Sequence, residues 1–446
     1  MRKIFILAIV MAALSLPHVA EAQLRLGLEE ALDLALSENP TIVIAQTEIE
    51  RYDYVKRQTW GQLLPQVSLG GQVNHTFIKQ NMSKGFSIGG DQYTNISASI
   101  DATMPLFAPT VYRTLKMNRT QMEAAVEQAR ATRLGLIAEV RKAFYNILLA
   151  EQSLEVLRTS EATVQRTVDD TEVQYRNGLA SEYDLLTARV QLSNIRPTIL
   201  QTENSIKIAK RMLKMLLSVP EEVEIEVTGE LDAMRDEVLN GTKELSADVS
   251  QNSQLRSMEL QEEVLSRQLK AANASRLPMV ALFGNFTLAG NNMGTFSMKD
   301  MSVVQDGYYW QNPLYGGVRL SIPLFSGLTK MNKSRELKNK LRQLSLQRKY
   351  TEDQIHVEVH TALNNLLTAR EQMSAQELTV EQATKAYKIS DTRYRAGAGT
   401  ILELNSAQLA QTQAELNFSQ AIFDYLSAKA DYDRIVGKDY TPRAAN

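Results

Sequence analysis

A mainly α protein with membrane β, built as two internal repeats, is the fold class this sequence predicts, and three observations carry the prediction. The pentapeptide Gln174-Tyr175-Arg176-Asn177-Gly178 returns as Arg393-Tyr394-Arg395-Ala396-Gly397, displaced by 219 residues. Each copy follows a long stretch almost free of Gly and Pro, and a second helical stretch follows each. This is the pattern of two antiparallel helices joined by a tight turn, with Gly supplying a left-handed cap. Finally, each half also holds a pair of runs whose apolar period is 2 instead of 3.6.

Residues 1–22 form a signal peptide: Arg2 and Lys3 precede an apolar run from Ile4 to Leu16, and Ala20-Glu21-Ala22 is a small-x-small cleavage site. About 13 apolar residues are too few to span a bilayer comfortably. No later stretch reaches a transmembrane helix. Cys is absent from all 446 residues, which excludes disulfides, thiolate catalysis, Cys-ligated metals and a lipid-anchored cysteine. Lys plus Arg (49) nearly balance Asp plus Glu (51), so no strong field points to nucleic acid.

Repeat 1 is expected over 23–218. A helical pattern runs from Gly27 to Gln62, broken at Asn39-Pro40, where Pro fits the first turn of a new helix. Leu64-Pro65 ends it. In the strand pair of 66–104, Val67, Leu69, Gly71, Val73 and Phe77 alternate with Gln66, Ser68, Gly70, Gln72, Asn74 and Thr76. After a polar loop from Lys79 to Gln92, Ile96, Ala98, Ile100, Ala102 and Met104 alternate with polar residues including Asp101, and the run stops at Pro105-Leu106-Phe107. The segment from Pro109 to Arg176 has one Gly and no later Pro. At ~1.5 Å per residue such a helix reaches on the order of 100 Å, far beyond a globular-core helix, and must pack side by side with others. Its tip lies near 176–181. The return helix runs to Leu217, interrupted by Pro197.

Residues 219–245 form an acidic linker with Val223 to Val227 as a candidate short strand; an equatorial belt around the helices and a flexible tether are both open. Repeat 2, over 246–437, restates the order. Leu277-Pro278 mirrors Leu64-Pro65, and Asn252-Ser253 mirrors Asn39-Pro40, both displaced by 213 residues. Its strand pair is expected over 279–322, with a loop from Gly290 to Gly307 and an end at Pro323-Leu324-Phe325. The second hairpin tip lies near 395–400, and 438–446 is a tail.

Ten-residue alternating strands with long polar loops and an export signal suit an outer membrane: apolar residues outward to lipid, Asp101 and Arg319 inward to a wet lumen, and Tyr93, Tyr308, Tyr309 and Trp310 at an interface. An ordinary half-buried sheet is the plainer alternative. Four strands cannot close a barrel, and lipid does not tolerate open sheet edges, so membrane strands imply an oligomer. Catalytic constellations are missing. His356 and His360 flank Glu358 on the second long helix, a spacing able to bind metal, but it is not His-Glu-x-x-His, and a surface pair is the simpler reading; no metal and no cofactor is expected, and the chain is not read as an enzyme. A periplasmic coiled-coil scaffold would explain the helices and leave the strand pairs without a purpose.

The doubled Leu-Pro, Pro-Leu-Phe and Tyr-Arg-x-Gly elements, with the helix starts Glu182 to Leu186 and Ile401 to Asn405 after the tips, resemble the TolC family of outer-membrane efflux proteins across essentially the whole mature chain. The resemblance implies an outer-membrane β-barrel plus a long periplasmic α-helical barrel, both shared across a homotrimer. It implies a passive outlet for an inner-membrane pump, reached through a periplasmic adaptor that docks on the hairpin tips, here Arg176, Asn177, Gly178, Arg395, Ala396 and Gly397. Arg176 and Arg395 are also explained as plain charges at helix C-termini. Small-molecule efflux is expected first and protein or peptide secretion second. The resemblance also places a periplasmic gate at the tips, with Asp184 and Tyr394 at linking positions and Glu403 in an acidic ring that favours cations. Gly399 stands where a linking arginine can occur and Ser406 replaces a second acid; a solvated helix position is the alternative for Glu403.

Overall fold

The computed structural model describes residues 24–77, 93–234, 245–292, 295–297, 302–304 and 308–440. The predicted signal peptide, the loop from Lys79 to Gln92 and the last six residues lie outside these. The described residues form two compact units, one within 24–46, 128–256 and 350–440 and the other within 47–127 and 257–349. In chain order the elements are β1 (Leu24–Leu26), α1 (Leu28–Glu38), α2 (Pro40–Gly61), β2 (Gln66–Thr76), β3 (Tyr93–Phe107), α3 (Pro109–Arg176) and α4 (Glu182–Leu217). Then follow β4 (Ile225–Val227), a 3-10 turn (Asp232–Met234), α5 (Ser253–Ala274), β5 (Met279–Asn291), β6 (Thr295–Ser297), β7 (Ser302–Val304), β8 (Tyr309–Gln311), β9 (Leu314–Ser321), α6 (Thr329–Arg395) and α7 (Ile401–Val436).

In the second unit, one antiparallel sheet runs β2-β3-β5, and β8 and β9 pair in succession along β5 as a fourth strand broken at Asn312-Pro313. Its register sorts the side chains. Leu69, Ile100, Phe286 and Leu314 stand in one row across four strands, and the neighbouring row on the other face is Ser68, Asp101, Asn285 and Tyr315. The apolar face is bare, with Leu69 at 78% and Leu314 at 77% exposure. An exposed apolar sheet face that large demands a non-aqueous neighbour. Among the described residues β2 pairs on one side only, and so do β8 and β9, leaving both outer edges with open backbone groups.

Three expectations need correction here. Strand β3 does not stop at Pro105 but runs to Phe107 through a register shift between Pro105 and Phe107. Pairing with β2 ends at Thr103, so Pro105 has a neighbouring strand on one side only, a place in a sheet where proline is tolerated. The stretch from Gly290 to Gly307 is not all loop: β6 and β7 pair as a small hairpin, drawing on Phe296, Val303 and Val304, residue types that favour strands. Helix α4 passes through Pro197 without interruption. A proline removes one intrahelical bond, and the turns on either side hold the helix through the gap.

The first unit is built on the long helices. Val140, Phe144 and Ile147 of α3, Leu213 and Leu217 of α4, Val359, Leu366 and Met373 of α6, and Ile422 and Tyr425 of α7 share one buried core. Strand β1, which the sequence reading missed, lies parallel to β4, pairing Leu24 with Ile225 and Leu26 with Val227. Ile225, Val227 and Leu231 are buried in the same core, so this part of the linker packs against the helices and is no free tether. Two buried asparagines repeat one device. Asn39 Nδ2 donates to the Leu216 carbonyl at 2.7 Å while its Oδ1 accepts from the Thr41 N–H. Asn252 Nδ2 donates to the Ile435 carbonyl at 2.7 Å while its Oδ1 accepts from the Leu255 N–H. Each caps a new helix and at once seals a carbonyl in the last turn of a return helix, where the helix itself offers no donor.

Candidate functional site: the paired hairpin tips

Both tips close by the same backbone geometry. The Leu179 N–H reaches the Gln174 carbonyl at 2.8 Å and the Gly178 N–H the Tyr175 carbonyl at 3.0 Å; Ala398 to Arg393 and Gly397 to Tyr394 repeat these at 2.8 and 3.0 Å. These are Schellman turns, and φ of +71° at Gly178 and +68° at Gly397 is the left-handed conformation they need. Residues 176–178 and 395–397 are exposed. Arg176 pairs with Glu172 at 2.5 Å and Arg395 with Asp391 at 3.0 Å, each one turn back along its own helix. The guanidinium of Arg176, followed by that of Arg189, holds the Glu172 carboxyl below its ordinary range.

The three residues expected at the gate have separate partners within the protomer. Asp184 completes a capping box: its carboxylate accepts from the Ser181 N–H at 3.0 Å and the Ser181 hydroxyl at 2.7 Å, while Ser181 Oγ accepts from the Asp184 N–H. Tyr394 joins the two hairpins, its hydroxyl 2.8 Å from Thr171 Oγ1 of α3, and Thr171 is fully buried. Burial pushes the Tyr394 phenol up from its ordinary value, the Thr171 hydrogen bond opposes this, and the charges of Asp184 and Asp170 reinforce it. A small apolar cluster of Val164, Val168, Ala188, Ile401 and Leu404 backs this contact. Glu403 approaches Arg393, with Oε2 3.8 Å from Nη1. Helix α7 is capped there by Thr400, whose Oγ1 accepts from the Glu403 N–H.

Three features escaped the sequence reading: Thr171, Arg393, and an apolar trough between α4 and α7. Tyr183, Leu186, Val190, Leu402 and Leu409 line that trough and all are exposed. Their spacing of three, four and seven was the available signal. In the sheet, Asp101 accepts from Asn285 Nδ2 at 2.6 Å and from the Ser99 hydroxyl at 3.0 Å, and Arg319 lies over the Phe283 ring at 4.8 Å. Register puts both charges on the polar face. His356 and His360 are exposed, and among the described residues no group of three or more His, Cys, Asp or Glu is arranged to hold a metal. No described helix is long and apolar enough to cross a membrane.

Paired long hairpins, a repeated turn and an amphipathic four-strand sheet with open edges define a protein of the outer-membrane channel class. The chain belongs to the outer membrane efflux protein family, whose model matches residues 31–218 and 246–438. It is 24% identical over 375 residues to outer membrane protein TolC of Vibrio cholerae, covering 80% of this chain and 81% of that one. It is 21% identical over 409 residues to the alkaline protease secretion protein AprF of Pseudomonas aeruginosa, covering 91% and 83%. Among solved structures, the CmeC outer membrane channel of Campylobacter jejuni superposes with a TM-score of 0.73 at 16% identity, covering 94% of this chain and 87% of that one. Location in the outer membrane and a role in transport follow from family membership.

Proposed function

We propose that this chain is one protomer of a homotrimeric, passive duct that carries small molecules from an inner-membrane pump and a periplasmic adaptor across the periplasm and the outer membrane. The observation that carries the proposal is the sheet: four strands, one bare apolar face, one polar face and two open edges. Lipid accepts such a sheet only inside a closed barrel, and three copies supply twelve strands, above the minimum of about eight. The tips serve as the periplasmic mouth. Asp184, Tyr394 and Glu403 guard it, Arg176 to Gly178 and Arg395 to Gly397 present the adaptor surface, and Asp101 and Arg319 line the lumen of the barrel. The duct moves solutes without chemistry of its own, and energy and substrate choice reside in the pump.

An outlet for protein secretion is the second reading, favoured by the match to a relative named for protease secretion. The test of the main reading is the native mass of the detergent-extracted protein by light scattering corrected for bound detergent, followed by conductance in planar bilayers. Three mature chains and a conducting pore are expected; a stable monomer would sink the shared barrel. Transport of dyes against transport of an unfolded polypeptide in cells lacking the protein separates efflux from secretion.

A further inference from the structure

The two tips are not equivalent, and the difference is electrostatic. The 219-residue displacement that superimposes the turns sets Gln174 against Arg393 and Asp184 against Glu403. In the first tip the acid is committed to its helix cap and the opposite residue is neutral. In the second, the acid is one methylene longer, its carboxylate leaves the cap, and it meets Arg393 across the turn at 3.8 Å. Arg393 is steered there from two sides. Its Nη2 donates to the Ala398 carbonyl at 3.2 Å. Gly399 also presses close: a Cβ on it would stand 3.2 Å from Arg393 Cβ and 3.2 Å from the Tyr394 nitrogen. Any larger residue at 399 would push against the stem of the arginine. Both charged side chains remain about half exposed, at 56% and 51%, so both charges face solvent.

We propose that Arg393 is a selectivity-determining residue of the mouth, a counter-charge that offsets Glu403 so that the constriction is a mixed-charge ring and not an acidic one. The inference rests on the reading of the tips as the gate. Its consequence for solutes is specific: a purely acidic ring repels anions, whereas a ring with matched charges admits anionic and zwitterionic solutes with little electrostatic penalty. Because the pair is exposed, the effect weakens as salt rises and the Debye length shrinks.

The test is the reversal potential of the purified full-length channel in planar bilayers under a KCl gradient at low ionic strength, for R393Q, R393K, E403Q and the wild type. R393Q installs the residue that the first tip already carries at the matching place. Removing Arg393 should raise the potassium-to-chloride permeability ratio at least about twofold, and E403Q should lower it by a similar factor toward anion preference. R393K should behave as the wild type. If E403Q moves the ratio and R393Q does not, Arg393 is not the counter-charge while the gate reading stands. An equal rise in R393Q and R393K would assign the effect to shape instead of charge and overturn the proposal. If neither E403Q nor R393Q moves the ratio, the tips are not the constriction, and the gate reading falls together with this one.

Discussion

Replacing Asn39 tests whether the buried asparagine bridge, and not helix capping alone, holds the last turn of α4. The side chain makes two separate contributions. As a cap it accepts from the Thr41 N–H at 2.8 Å and the Thr41 hydroxyl at 2.6 Å, and loss of such a cap costs about 1 kcal/mol. As a bridge it is the donor to the Leu216 carbonyl at 2.7 Å, a buried contact. Stranding a buried acceptor costs about 1–3 kcal/mol. Asn39→Ala loses both, about 2–4 kcal/mol. Asn39→Asp separates them, because an aspartate caps as well as asparagine but has no donor for Leu216 and sets a negative charge against its carbonyl. Thermal unfolding followed by helical circular dichroism reads the difference, at ~2–4 °C per kcal/mol for a cooperative unit of ~150–250 residues. Asn39→Asp should therefore fall below the wild type by at least the cost of the stranded acceptor, about 1–3 kcal/mol, although its cap is kept. An aspartate variant as stable as the wild type would refute the bridge and leave capping as the whole effect. Asn252, which repeats the arrangement on Ile435, should give the same order of variants.

Gly437→Ala should disrupt folding, since φ is +77° and a Cβ would collide with the Gln251 carbonyl oxygen, whereas Gly178→Ala, at φ +71° with open space around it, should cost only about 1–2 kcal/mol; yield of folded protein and urea midpoints check the pair. Tyr394→Phe should lower stability by about 0.5–1.5 kcal/mol through loss of the Thr171 contact and raise the open probability in bilayers. The same phenol gives a pH prediction: its folded-state pKa is raised, so its contribution is complete below the ordinary value near 10 and is lost as pH rises through the folded one. An alkaline unfolding titration should show that loss in the wild type and not in Tyr394→Phe. Gly290 lies flat under Trp310, where a Cβ would stand 2.9 Å from Cε3. Gly290→Val should displace the indole and change its emission, measured after Trp60, the other of the chain's two tryptophans, is replaced by Phe.

The long helices and the tips were legible because both depend on local chemistry. From Pro109 to Arg176 and from Thr329 to Arg395 nothing breaks a helix, and Gly178 and Gly397 mark the turns. The strand faces were legible too, since a period of 2 fixes the side on which Asp101 and Arg319 fall. Proline misled where its effect is set by neighbours. Pro105 lies past the end of the β2 pairing, with a neighbour on one side only, and at Pro197 a 36-residue helix absorbed the defect. Strand β1 was invisible because three residues carry no periodicity and its partner, Ile225–Val227, lies some two hundred positions away. At the second tip, the sequence reading singled out Glu403 but not its opposite charge: Arg393 is ten residues earlier on a different helix, and only the turn between them brings the two together. Comparing the repeats position by position, Gln174 against Arg393, was the signal available.

The open edges of the sheet also constrain how the protein must be born. A lone protomer entering lipid would carry two rows of backbone amides and carbonyls with no partner, each costing several kcal/mol in hydrocarbon, so insertion one chain at a time has no favourable path. In the proposed trimer, membrane integration and subunit association would be a single event, with a rate that rises more steeply than linearly with chain concentration. Until that event the apolar face on which Leu69 and Leu314 stand needs a temporary cover in the periplasm. In the proposed trimer the chain is not a small barrel awaiting companions but a third of a wall.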